Sequence, residues 1–199
     1  MLEHHCRRAR RALLLPPLTA VFLAALLVTP SARATLSRAV SLDELSRAST
    51  TAAIVLPLQQ RSEWQAKRIV TFTRVRVERV VAGQSVTSEI EIRTFGGVVG
   101  NIGQTVSGEA DLVVGQRSLM FLRELGAGSA LVTARAQGVF RIEVGSAARV
   151  LASQRLGELV PSAQMKARRI VPAAVSLHGS SLALAVSRIQ LAWSRREAR

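Results

Sequence analysis

The longest stretch of alternating apolar and polar residues in the chain is Arg68–Val81, RIVTFTRVRVERVV. Ile69, Thr71, Thr73, Val75 and Val77 share one face of it. Val70, Phe72, Arg74, Arg76, Glu78 and Val80 share the other. Period two sustained over more than ten residues, with β-branched side chains predominating, predicts a long strand. A strand of this length bends and serves two faces of a barrel or sandwich, and the apolar pair Val70 and Phe72 on the charged face predicts a bend there. Ala82–Ser85 reads as a hairpin connection. Val86–Phe95 then alternates again, with Ile90 and Ile92 inward and Glu89, Glu91 and Arg93 outward. Arg74 and Arg76 therefore face Glu89 and Glu91 across the hairpin, where exposed opposite-charge pairs contribute only ~0.2–1 kcal/mol each.

The same patterns place the other elements. Ser41 followed by Glu44 is a capping box, with Asp43 and Glu44 in the first turn where the helix dipole favours acids. It predicts a short helix over Leu42–Ala48. Ala52–Gln59 reads as a strand in which Pro57 marks an edge or a bend, and the polar run Gln60–Lys67 reads as the turn after it. Ser118–Leu122 is an apolar, buried strand, and Glu124–Ser129 a turn. Ala130–Arg135 and Gly138–Val144 are two further strands, and Val150–Gln154 a last one. Gly157–Ser176, with Pro161 and Pro172, reads as a connector. A helix over Ser181–Arg195 presents Leu182, Val186, Ile189 and Trp193 on one stripe, with Arg195, Arg196 and Arg199 at its negative end. The order predicts an all-β fold: a β-barrel of the oligonucleotide/oligosaccharide-binding (OB) kind with five to seven strands, a short N-terminal helix and a C-terminal helix packing on the barrel. A β-sandwich is the alternative.

Between the Glu89–Phe95 and Ser118–Leu122 strands lies a run that holds six of the chain's thirteen glycines. A glycine-rich loop cradles phosphate when it leads from a strand into a helix N-terminus. This run leads toward more strand, lacks a following Lys-Ser/Thr, and interleaves its glycines with Val and Ile. It reads first as a barrel corner, where glycine permits positive φ and close approach. As a ligand or partner loop it offers Gly97, Gly100, Asn101, Gly103 and Gln104. Arg74 and Arg76 are the candidate basic face.

Composition changes the picture at the N-terminus. Four arginines precede the apolar block at 12–29, and Ala32-Arg33-Ala34 follows it, the three parts of a secretory signal peptide. The uninterrupted apolar core, Leu18–Thr29, is shorter than the ~20 residues of a membrane span. Cleavage after Ala34 is expected, which leaves a β-barrel domain at 35–160, a connector and helix at 161–199, and no stable membrane anchor. It also removes the chain's one cysteine, Cys6, and two of its three histidines. The mature chain then has no disulfide, and His178 alone makes an ordinary zinc ligand set impossible. No cofactor is expected. A catalytic triad would have to draw on Asp43 or Asp111, and no Gly-x-Ser-x-Gly elbow presents a serine.

Charge narrows the partner. The mature chain keeps 22 basic against 12 acidic side chains, and arginine outnumbers lysine 25 to 2 in the whole chain. The arginines are scattered and the mature aromatics are few, so stacking platforms for specific nucleic-acid binding are not expected. Attraction to anionic polymers is.

The residues also carry a resemblance. The Ser41-Leu-Asp-Glu-Leu helix start is followed by the Ala-Ile-Val strand and the turn with Ser62 and Trp64. Next come Thr71–Val77, Arg93-Thr-x-Gly-Gly, Gly100-x-x-Gly103-Gln104-x-Val106-x-Gly108, and Val114-Gly115-Gln116 with its Met-Phe-Leu. Residues 41–144 in this order resemble a group of uncharacterised secreted bacterial proteins. Their domain is similar to OB-like small β-barrels and, distantly, to the netrin-like domain of tissue inhibitors of metalloproteinases. Those inhibitors chelate the protease zinc through an N-terminal cysteine, which the mature chain lacks, so that activity does not carry over. Fold alone does not give function. The expectation is an exported, periplasmic or extracellular, non-enzymatic binding or interaction module whose partner is a protein or an anionic envelope polymer. A weak polyanion-binding envelope protein and a small secreted hydrolase using His178 are the alternatives.

Overall fold

The computed structural model describes residues 36–126 and 128–198, and the expected signal segment lies outside the described residues. The elements in order are β1 (Leu36–Arg38), α1 (Leu42–Ala48), β2 (Thr51–Gln65), β3 (Arg68–Gly83), β4 (Glu89–Phe95), β5 (Gly97–Val99), β6 (Ile102–Gln104), β7 (Ser118–Gly126) and β8 (Ser129–Val132). A 3-10 turn (Arg135–Gly138), β9 (Val139–Glu143), β10 (Arg149–Ala152), β11 (Glu158–Val160), α2 (Ala163–Ala167), α3 (Ala173–Leu177) and α4 (Leu182–Glu197) follow.

Five strands close a barrel. β2 pairs antiparallel with β3, and β3 with β4. β4 runs parallel to β8, β8 pairs antiparallel with β7, and β7 returns antiparallel to β2. Counting only these strands, the ring runs first, second, third, fifth, fourth and back to the first. This is the Greek-key barrel of the OB kind, and the ring closes, which sets the β-sandwich alternative aside. β9 and β10 extend the sheet from β7, and β1 pairs with β11 in a separate two-stranded parallel sheet.

Two cores explain why β2 and β7 read as unbroken apolar runs. Ala53, Val55, Met120 and Leu122 point into the barrel with Val75, Ile90, Ile92 and Val132. Their neighbours Ala52, Ile54, Leu119 and Phe121 point outward, into a second core with Phe140, Leu45, Leu177, Ile189 and Trp193. A strand buried on both faces has no polar face to alternate with. Phe121 and Phe140 meet edge to face with ring centroids 6.2 Å apart, an arrangement that aromatic quadrupoles favour. β3 keeps its alternation because only one of its faces is buried along most of its length.

Several elements differ from the pattern reading. The polar run at 60–65 is strand, paired from Gln60↔Thr73 to Gln65↔Arg68, and the reversal is confined to Ala66-Lys67. Here β2 pairs with β3 alone and is largely exposed, so no inward apolar residues announce it. Pro57 sits at a register shift between Pro57/Gln59, where a missing N–H costs least. The strand expected over Ala130–Arg135 ends at Val132, because Ala134 and Arg135 both take left-handed φ, +55° and +53°. The expected connector at 157–176 contains β11, α2 and α3.

The helices form as their caps dictate. Ser41 and Glu44 complete the capping box of α1, and Ser181 accepts the Leu184 N–H to start α4. Arg196 of α4 donates to the Ser46 and Ser49 carbonyls at 3.0 and 2.7 Å, which satisfies the C-terminal end of α1. Among the described residues, no helix is long and apolar enough to cross a membrane.

Candidate functional site

The glycine run builds a small hairpin, β5 with β6, that turns at Gly100-Asn101. Its base is fastened to the barrel. The Gln104 side chain accepts the Ile69 N–H at 2.6 Å, and the Thr71 hydroxyl donates to the Gly96 carbonyl at 2.6 Å while contacting Ser62 Oγ at 2.8 Å. Gly97 has φ +133°, and a Cβ there would overlap Thr71 Oγ1 and fall 2.5 Å from Ser62 Oγ. Only glycine fits that close approach. Under the hairpin is a cavity of about 280 Å³. Gly97, Gly103 and Gln104 line it. Gly100 and Asn101 do not, and Asn101 stands exposed at the tip. The five loop residues therefore divide between a cavity wall and a turn.

The face with Arg74 and Arg76 is largely neutralised. Arg74 lies 3.8 Å from Glu89, and Arg61 bridges Glu63 and Glu91 at 3.0 Å each. The Arg61 guanidinium also covers the Phe72 ring, 4.3 Å from its centroid. Arg61 and Arg74 are held by acids and an aromatic already in place, whereas Arg76 is exposed and in no ion pair among the described residues.

Two arginines in no ion pair among the described residues, Arg93 and Arg123, lie further round the barrel. The registers Phe72↔Arg93, Arg93↔Leu131 and Leu131↔Arg123 put Arg93 and Arg123 in one outward row, on either side of Leu131. Directly paired residues share a face. Next to this row is a cavity of about 400 Å³ lined by Arg93, Arg123, Arg135 and Glu109 among apolar residues that include Phe95, Leu131 and Val132. Phe95 and Glu109 also line the 280 Å³ cavity and so stand between the two.

The chain fixes Arg135 and Glu109 by local geometry. Ala134 and Arg135 are consecutive non-glycine residues in the left-handed region, a conformation that costs ~1–2 kcal/mol per residue and persists where surrounding structure holds it. The holding contacts are Gln137 N–H to the Ala134 carbonyl at 3.1 Å and Ala136 N–H to the Gly108 carbonyl at 3.1 Å. The second bond ties the 134–136 turn to the segment carrying Glu109. Glu109 Oε1 accepts the Ala110 N–H at 3.0 Å. Glu109 Oε2 has no hydrogen-bond partner among the described residues, although its side chain is only 8% exposed. The nearest guanidinium nitrogen, Arg135 Nε, is 3.8 Å away, beyond hydrogen-bond length. Arg93 Nε is likewise buried without a partner among the described residues, and the Arg93 guanidinium sits 5.5 Å from the centroid of Phe95.

Three guanidiniums around one cavity are donor forks for a carboxylate or phosphate. Buried polar groups are nearly always satisfied, so the orphaned Oε2 and Nε mark groups available to something else. Sequence reasoning did not single out Glu109, Arg93, Arg123 or Arg135 as a site. The alternation of β4 does turn Arg93 outward, but Arg123 and Arg135 become its neighbours only through the parallel β4–β8 pairing.

His178 is engaged elsewhere: its Nδ1 accepts the Ala152 N–H at 3.2 Å. Asp111 lies 3.3 Å from Arg155, and Asp43 lies 3.9 Å from Arg195. No family model matches the chain, and no curated protein matches it.

Proposed function

We propose that the mature protein is an exported, non-enzymatic binding module that holds an anionic group of a cell-envelope polymer between Arg93, Arg123 and Arg135. The observation that carries this reading is the cavity of about 400 Å³ that these three arginines line. An anion there meets several forked donors at once, with Glu109 Oε2 and Arg93 Nε buried behind it and the exposed Arg123 and Arg135 at the opening.

Export rests on the basic, apolar and small-residue pattern of residues 1–34, with cleavage after Ala34. The non-enzymatic reading rests on the engagement of His178 with Ala152 and of both aspartates with arginines. A polyanion is favoured over a protein partner because three arginines converge on one cavity. The test is equilibrium binding of the mature chain to polygalacturonate, with dextran as the neutral control. Saturable binding to the first alone supports the reading, and equal binding to both contradicts it.

A further inference from the structure

Arg135 accounts for an acid beside the arginines, since it pairs with Glu109 at 3.8 Å, but it leaves Glu109 Oε2 without a hydrogen bond. An acid in an anion site repels its ligand unless the ligand gives it something. Glu109 is fixed by its Oε1 bond to the Ala110 N–H, while Oε2 is buried, lies 3.8 Å from Arg135 Nε as an ion pair, and accepts no hydrogen bond among the described residues. It lines the same cavity as Arg93, Arg123 and Arg135. A buried carboxylate oxygen left without a donor is costly, and a ligand donor removes that cost on binding.

We infer that the bound unit carries a hydrogen-bond donor beside its anionic group, and that Glu109 Oε2 accepts from it. The donor is a neutral hydroxyl. An ammonium would have to enter among three guanidiniums, whereas a hydroxyl brings no further positive charge. An anionic group with hydroxyls on neighbouring carbons is the chemistry of an acidic sugar, and within that class we commit to a uronate residue. The volume, about 400 Å³, lies within the range of small-ligand sites. The inference rests on the anion-binding reading for its arginine contacts and adds the role of Glu109.

The test titrates the mature chain with three probes: galacturonate, succinate and galactose. Amide chemical shifts at Ser107–Ala110 and Thr133–Gln137 report occupancy of the cavity. Galacturonate is expected to bind saturably, succinate at least fivefold more weakly, and galactose not at all. Glu109→Ala is expected to erase the preference for galacturonate over succinate. Glu109→Gln, which retains a carbonyl acceptor and the shape of the side chain, is expected to keep part of it and covers the case in which the alanine variant fails to fold. Equal binding of galacturonate and succinate to the unsubstituted chain overturns the role of Glu109 while leaving the anion reading intact. So does a preference that survives both substitutions. Absence of shifts with either acid overturns both.

Discussion

The side-chain carbonyl of Gln104 accepts the backbone N–H of Ile69 at 2.6 Å, and this bond ties the β5–β6 hairpin to the first residues of β3. As a free ligand group, Gln104 would have to give up a partly buried backbone donor. Gln104→Ala is therefore expected to destabilise the protein by ~1–3 kcal/mol, the cost of an orphaned buried N–H. Asn101→Ala, at the exposed hairpin tip, is expected to stay within ~0.5 kcal/mol. Urea unfolding of the two variants checks the contrast. Equal and small effects would show that the hairpin base is not held by this bond.

Trp193 is the anchor of the C-terminal helix. It is 5% exposed, and a Cβ placed on Gly83, whose φ is +91°, would fall 2.7 Å from its ring. Trp193→Ala empties the contact between α4 and the end of β3 and is expected to cost ~3–5 kcal/mol. The measurement is chemical denaturation monitored by far-ultraviolet circular dichroism. A loss below ~1 kcal/mol would mean that α4 is not part of the cooperative fold.

Acid sensitivity is expected at the capping box of α1. Burial raises the Glu44 carboxyl, but hydrogen bonds from the Ser41 N–H and hydroxyl, with the charge of Arg38, outweigh it and hold Glu44 below its ordinary 4.5. A depressed acid stabilises the folded state above its unfolded value, and that contribution is lost as pH falls through the folded value. Glu44→Gln is thus expected to be less stable than the unsubstituted protein at pH 7, with the gap closing below about pH 4.5. Unfolding free energies measured from pH 7 to pH 3 test this, and a gap of constant size would refute it.

Much of the barrel was legible because its period-two signals are local. The alternation of β3 and the inward Ile90 and Ile92 of β4 placed both strands and set Arg74 and Arg76 across from Glu89 and Glu91, and the structure adds the register, with Arg74 opposite Glu91 and Arg76 opposite Glu89. The Ser41–Glu44 pair located α1 to the residue. What stayed hidden was non-local or strained. The extension of β2 through Gln65 carries no inward apolar residue, because it pairs with one strand outside the core. The left-handed pair Ala134-Arg135 has no glycine to announce it. Glu109 lies in a segment without periodicity, and its neighbours Arg93, Arg123 and Arg135 come from three other parts of the chain. The glycine run lies beside the proposed site: Gly97 and Gln104 line the cavity next to the one that the arginines line.

The claim that the three-arginine cavity takes an anion is tested most directly by moving charge. The measurement is the affinity of the mature chain for polygalacturonate at low and physiological salt, for the unsubstituted protein, for Arg123→Glu with Arg135→Glu, and for Arg168→Glu with Arg169→Glu. The two double variants change net charge equally, but Arg168 and Arg169 are exposed at the end of α2 and do not line the cavity. The account predicts binding that weakens with salt, a loss of at least tenfold for the cavity pair, and a change within about threefold for the α2 pair. Equal losses for the two pairs would reduce the binding to net charge and contradict the site.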